Sequence, residues 1–239
     1  MGILVKKKGN MIIEDLLFPK LNCVFCGKNI LNDRFVCNNC KKKYKPIFNR
    51  VINNDCDDYL DEHFNKYIKE HIYFYKYEDI RNLLLNFKFK DKSYIYRGFI
   101  ELINSKELKN LKELKDFLKE YDLIISVPTH ITRKIDRGYN QSDLIAKQIS
   151  KVFNIKYIKN VLYKKENTIS QNKLSEEKRK TNVINAFVLN KKKIDLIENK
   201  NILIIDDIYT TGSTVKECAK TIKDTCNVNQ IGVLTIAKT

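Results

Sequence analysis

Tryptophan is absent from the 239 residues, and there are only three prolines, seven glycines and two methionines. No stretch of eighteen consecutive apolar residues occurs. A helix needs about that length to cross a hydrocarbon core, so a membrane span is not expected. A secretory leader is not expected from the order of the parts. Residues 1–5 are a very short apolar stretch, and the charges of Lys6, Lys7 and Lys8 follow it instead of preceding it. The expected address is cytoplasmic. Scarce glycine and missing tryptophan, beside abundant lysine, asparagine and isoleucine, also bear on the formal charge of +16. Two readings of that charge stay open. It reflects the base composition of the genome, or clusters at residues 6–8, 41–45, 164–165 and 191–193 attract a polyanion by counterion release.

The apolar fraction of 43% is ample for a buried core. The length suits one α/β domain with a small accessory module. Seven cysteines in a chain expected in the cytosol point to metal or thiol chemistry before disulfides. Cys23-Val-Phe-Cys26-Gly27 and Cys37-Asn-Asn-Cys40 are two Cys-x-x-Cys pairs with residues 27–36 between them. Each pair clamps one side of a tetrahedral ion, and Gly27 stands where a knuckle turn needs positive φ. A closed four-cysteine zinc ribbon follows, structural and not catalytic, in which the metal replaces a core too small to fold by itself. A redox role is disfavoured because neither pair is expected to open a helix after a buried strand. Cys56, Cys218 and Cys226 have no site-like spacing and read as small buried residues. The expected division is a ribbon module over 1–55 and an α/β domain over 56–239.

Residues 72–77 are aromatic and β-prone, and predict a first strand. Ile80, Leu83, Leu84 and Phe87 recur at helical spacing over 78–87. Further helices are expected over 94–103 and 108–118, the latter with Leu108, Leu111, Leu114 and Leu118 on one stripe. Residues 123–128 form a short apolar run ending at Pro128, the mark of a buried parallel strand. A helix is expected over 138–152, with Leu144, Ile145, Ile149 and Val152 inward, then a strand over 157–163. Residues 164–180 are polar and aperiodic and read as a long loop of the functional kind. Strands at 186–189, 202–208 and 230–237 and a helix at 213–223 complete an alternation that predicts a mostly parallel sheet flanked by helices.

One segment carries chemistry most directly. Residues 201–208 are an apolar strand ending in Asp206 and Asp207, followed by Tyr209-Thr210-Thr211-Gly212-Ser213-Thr214 and a helix. A loop that opens a helix presents free N–H groups and a positive dipole end, which suit a phosphate. Gly212 allows close approach, while Thr210, Thr211, Ser213 and Thr214 supply hydroxyls. The two carboxylates stand at a strand's carboxyl end, where open α/β sheets bind ligands, and can accept from two vicinal hydroxyls of a ribose. Neither Gly-x-x-x-x-Gly-Lys nor Gly-x-Gly-x-x-Gly is present, so Walker and dinucleotide sites are not indicated. Simple helix capping would need one such hydroxyl, not four with a glycine and two acids.

This segment resembles the phosphoribosyl diphosphate signature of type I phosphoribosyltransferases. With Val127-Pro128-Thr129-His130, Arg137-Gly138-Tyr139-Asn140-Gln141, the stretch from Thr168 through Gln171 to Arg179 and Asn182, and Ala186-Phe187, the chain resembles the competence protein F family over nearly its whole length. The resemblance implies a type I phosphoribosyltransferase fold behind the cysteine ribbon. It implies that Asp206 and Asp207 hold the ribose hydroxyls and 210–214 the 5′-phosphate, with Pro128, Thr129 and His130 in a diphosphate loop over 128–131. Residues 164–182 correspond to a lid whose Lys165, Gln171 and Arg179 face diphosphate oxygens, with Lys165 and Arg179 as the candidate catalytic cations. Mg2+ bridging the diphosphate is expected, with few direct protein ligands. Arg137 and Gln141, one helical turn apart, either touch the ligand or brace the sheet. An acceptor would lie under a hood near 73–92, where no recognisable base pocket is written. Members of this family are associated with DNA uptake and natural transformation, so single-stranded DNA and other DNA-uptake proteins are candidate partners. The alternative is an active phosphoribosyltransferase of nucleotide or related metabolism with no direct DNA role.

Overall fold

The computed structural model describes residues 22–30, 34–52, 66–89, 92–130, 135, 138–165 and 186–239. Within them lies a six-stranded sheet in the order β1-β2-β8-β7-β3-β4. Its strands are β1 (Asn49–Ile52), β2 (Glu70–Lys76), β3 (Leu123–Ser126), β4 (Lys156–Tyr157), β7 (Asn201–Tyr209) and β8 (Gln230–Lys238). All neighbours run parallel except β1, which lies antiparallel on the edge against β2. A separate antiparallel pair joins β5 (Leu162–Lys164) to β6 (Phe187–Leu189). The mostly parallel α/β architecture is therefore as expected.

Strands covered on both faces need apolar residues at every position, and β7 shows why. Its Leu203 and Ile205 enter one core, and its Ile202 and Ile204 enter the other. The first core is closed by α2 (Tyr77–Phe89), α3 (Ile95–Ile103), α4 (Leu111–Lys119) and α5 (Gln141–Phe153). The second is closed by α6 (Ile194–Ile197), α7 (Ser213–Lys223) and the β5–β6 pair. Ile80, Leu83, Leu84 and Phe87 of α2 are all buried, as their spacing predicts. The remaining helix, α1 (Asn38–Lys43), belongs to the cysteine module.

Several local expectations are corrected. Residues 49–52, assigned by sequence to the ribbon module, pair with β2 in the main sheet, where Arg50 donates to the fully buried Glu70 at 2.5 Å. The expected strand at 157–163 is two strands in different sheets, because residues 158–161 turn between them. Helix α5 begins at Gln141, after Gly138 at φ +73° and the Asn140 cap. Its inward face is Ile145, Ala146 and Ile149, with Leu144 and Val152 half-buried. Lys164 ends a strand and Lys165 follows it, while the rest of the expected lid, residues 166–182, lies outside the described residues. Cys218 and Cys226 are buried core residues, as expected, while Cys56 falls outside the described residues.

Candidate functional site

Strands β3 and β7 end side by side, Ser126 opposite Ile205, at the edge where such sheets gather ligands. A cavity of about 530 Å³ opens there. Pro128, Thr129 and His130 line it from the loop after β3, and Asn140, Gln141 and Ser142 from the start of α5. Asp206, Asp207, Ile208, Thr210 and Thr214 line it from β7 and the following turn. Helix α2 contributes Tyr77, Leu84, Leu85, Lys88 and Phe89, and β5 contributes Lys164.

The acid pair is held in a fixed geometry. Asp206 Oδ1 accepts from Ser142 Oγ at 2.8 Å and from the Asp207 N–H at 2.9 Å. Asp207 Oδ2 meets Lys88 Nζ at 2.8 Å. Burial, and then the adjacent charge of Asp207, push the Asp206 carboxyl up to about 7 against the pull of Ser142, the Asp207 N–H and Lys88. Asp206 thus titrates near neutrality.

Beyond the acids, β7 turns through Thr210 and Thr211 into α7 at Gly212, which has φ +72°. A Cβ at 212 would stand 2.1 Å from Tyr209 Oη, so both the dihedral and the space demand glycine. The Tyr209 ring stacks on His71 at 4.2 Å, and His71 Nε2 lies 2.9 Å from Thr235 Oγ1. Burial, then the Lys238 charge, lower His71 to about 3, so this support is a neutral imidazole. Thr211 Oγ1 and Ser213 Oγ are hydrogen-bonded at 2.7 Å. The Ser213 N–H donates to Thr211 Oγ1 at 3.4 Å, and the positive dipole end of α7 at this turn suits an anion.

Across the cavity, Asn140 ties loop to helix. Its Oδ1 accepts from the Ser142 N–H at 3.1 Å, and its Nδ2 donates to Val127 O at 3.0 Å. Asp143 accepts from Ser126 Oγ and from Tyr157 Oη, the latter at 2.9 Å, bracing the same corner. Gln141 is only 4% exposed, and its Nε2 has no hydrogen-bond partner among the described residues. A buried amide donor on a cavity wall is a group made for a ligand's oxygen.

Of the residues singled out in sequence, Pro128, Thr129, His130, Gln141, Asp206, Asp207, Thr210 and Thr214 share this lining. Thr211, Gly212 and Ser213 shape the turn without lining the cavity. Lys165 is exposed just past β5, its N–H donating to Ala186 O at 2.8 Å, and Lys164 lines the cavity instead. Arg137, Gln171 and Arg179 lie outside the described residues. Sequence reasoning missed Lys88, Asn140, Ser142 and Lys164. An Asn-x-Ser before a helical run is a capping signal that points to Asn140; nothing local marks Lys88.

In the amino-terminal module, one ligand atom from each of Cys23, Cys26, Cys37 and Cys40 lies within 4.8 Å of all the others. Cys26 and Cys37 Sγ are 3.6 Å apart, near the roughly 3.8 Å edge of a tetrahedron with metal–sulfur bonds of about 2.3 Å. The donor set fits a metal ion held by four cysteines. Gly27 has φ +77°, as the knuckle requires. One expectation fails: Cys37 does open a helix, as the N-cap of α1. Burial raises its thiol, but the Cys40 N–H and the neighbouring thiols outweigh that and bring it to about 7, which favours the thiolate a metal needs. The module is seated firmly. Phe25 packs on Phe99 at 5.2 Å, Lys41 pairs with Glu101 at 2.7 Å, and a Cβ on Gly98 would meet Phe25 and Val24 at 2.6 Å.

Residues 137–239 match the phosphoribosyl transferase domain family. The chain is 28% identical to Competence protein F of Haemophilus influenzae over 232 residues, covering 92% of this chain and 98% of that one. It is 23% identical to Competence protein ComFC of Bacillus subtilis, covering 84% and 88%. Against DNA utilization protein YhgH of Escherichia coli O6:H1 the identity is 37% over 100 residues, 41% of this chain and 42% of that one. Among the described residues no helix is long and apolar enough to cross a membrane. A paired-acid cavity on a parallel sheet, a four-cysteine module in front of it and likeness to two competence proteins over most of their length agree: the chain is similar to competence protein F and carries a phosphoribosyltransferase-like domain.

Proposed function

We propose that this cavity binds phosphoribosyl diphosphate and that the protein acts in the cytoplasmic handling of single-stranded DNA during DNA uptake. The observation that carries the ligand assignment is one shared lining: Asp206 and Asp207 face the same space as Thr210 and Thr214, the 128–130 loop and the unpartnered amide of Gln141. In this reading the two acids accept from the ribose 2′- and 3′-hydroxyls, and the turn at 210–214 cradles the 5′-phosphate with N–H groups and hydroxyls. Pro128, Thr129 and His130 border the diphosphate, and Gln141 Nε2 donates to one of its oxygens. Mg2+ neutralises the diphosphate with few protein ligands of its own. Lys165, Gln171 and Arg179, with Arg137, would add positive charge and donors around the leaving group and exclude water. The four cysteines hold a structural zinc.

The DNA role rests on the relatives, named for competence and for DNA utilization, and on exposed lysines such as Lys42, Lys43 and Lys45 beside the module. Other DNA-uptake proteins are the expected partners. One observation favours the alternative, a transferase with no DNA role: Tyr77, Leu84 and Phe89 give the cavity an apolar wall suited to a flat acceptor.

Calorimetric titration with phosphoribosyl diphosphate, with and without Mg2+, tests the ligand. Asp206→Asn combined with Asp207→Asn removes two charge-assisted acceptors and is expected to weaken binding by about 100-fold or more while leaving DNA affinity intact. Unchanged ligand affinity would sink the assignment. Affinity for single-stranded DNA is expected to fall steeply with salt. Its absence at low salt, together with diphosphate release on adding a nucleobase, would favour the alternative.

A further inference from the structure

Two carboxylates accept best from a vicinal diol when both are ionised, yet two charges side by side in a half-buried pocket oppose that state. Helix α2 meets the difficulty. Its lining residues are apolar or aromatic except for Lys88, in its last turn, whose Nζ lies 2.8 Å from Asp207 Oδ2. Both partners are mostly shielded, with side chains 23% and 11% exposed. The backbone that carries Lys88 is also pinned. Tyr139, just before α5, donates its hydroxyl to Phe87 O at 2.5 Å, and its ring stacks on Phe87 with centroids 6.0 Å apart. Lys88 therefore reaches the acids from a helix end locked to the segment that also supplies Gln141 and Ser142.

We propose that Lys88 is a positioning residue of the sugar site: its ammonium holds Asp207 in place and offsets the negative charge that the acid pair concentrates where the ribose diol would bind. The proposal rests on the reading that Asp206 and Asp207 take the ribose hydroxyls. Asp206 already titrates near neutrality with Lys88 in place. Lys88 is one of the groups that lower its pKa, so loss of that ammonium should let Asp206 hold its proton to higher pH and offer a donor where the ligand also offers donors. The other titratable or charged groups around the pair are His130 on the β3 loop, Lys164 on β5, Tyr77 on α2, Asp143 on α5 and Cys218 on α7. All of them are unchanged by substitution at position 88.

The test is calorimetric titration with ribose 5-phosphate from about pH 5.5 to about pH 9, for the wild type, Lys88→Met, Lys88→Gln and Lys88→Arg. The ligand's own phosphate titration is common to all four and cancels. The midpoint at which affinity rises is expected to move up in Met and Gln, and to stay in place in Arg. Carboxyl NMR of the ligand-free proteins should place the same shift on Asp206. An unmoved midpoint overturns the proposal, even if affinity falls equally at every pH, because a merely structural contact would do that. A wild type with no affinity at any pH overturns the reading of the acid pair itself, and the two failures are thereby told apart.

Discussion

Gly212→Ala is the sharpest probe of the turn after β7. The added Cβ would sit 2.1 Å from Tyr209 Oη and 2.4 Å from its Cζ, at a backbone φ of +72°. The left-handed dihedral costs an alanine about 1–2 kcal/mol. The collision adds overpacking of about 1–3 kcal/mol, because the ring cannot easily retreat. Tyr209 is 5% exposed and stacked on His71, which is itself held to Thr235. A loss of about 3 kcal/mol should lower Tm by about 6–12 °C in a domain of this size. Ribose 5-phosphate affinity should fall with it, since the turn can relax only by moving its N–H groups. Calorimetry on Gly212→Ala, Tyr209→Leu and the double variant separates the two terms. The double variant should be less destabilised than the sum of the singles by the collision part, about 1–3 kcal/mol. A Gly212→Ala protein within about 0.5 kcal/mol of wild type would refute the reasoning.

Asp206 should cost the fold stability in return for its role. Its carboxyl titrates at about 7 in the folded protein against 3.8 for the ordinary group, so between those values the folded state binds more protons than the unfolded one. Stability should therefore fall as pH rises through that window. Asp206→Asn should stabilise by on the order of 3 kcal/mol at pH 8 and by almost nothing below about pH 4; an equal gain at both pH values would contradict the assigned cause. For the cysteine module, elemental analysis should return one zinc per chain, and chelation should lower Tm and speed hydrogen exchange in α3, against which Phe25 packs. Zinc content near zero would remove the metal assignment.

The parts of the site that sequence made legible are those written contiguously. Asp206, Asp207 and the Thr-Thr-Gly-Ser-Thr turn sit on one strand–helix junction, so local chemistry and structure coincide. The central strands were legible for a similar reason, since continuous apolar runs such as residues 202–205 mark burial on both faces. Lys88 was not, because a lysine in the last turn of a helix is an ordinary surface residue and its meaning comes from a carboxylate on β7. Strand β1 escaped because Asn49-Arg50-Val51-Ile52 has little pattern, and its place depends on Glu70 and β2. Lys164 lines the cavity, next in sequence to the candidate Lys165, for a simple geometric reason. Successive side chains of a strand point to opposite faces, so neighbours in sequence take different surroundings.

The pairing of β2 with β8 sets an order of events at the ribosome. Residues 70–76 find their parallel neighbour in residues 232–238, so during synthesis β2 waits, bordered by β1 alone, until the residues between, 77–231, have been made. In that interval Ile72, Phe74 and Tyr75 lack half the core that later covers them, and an open strand edge is a template for other chains. A chain cut short before β8 would thus yield a sticky fragment rather than a weaker version of the protein.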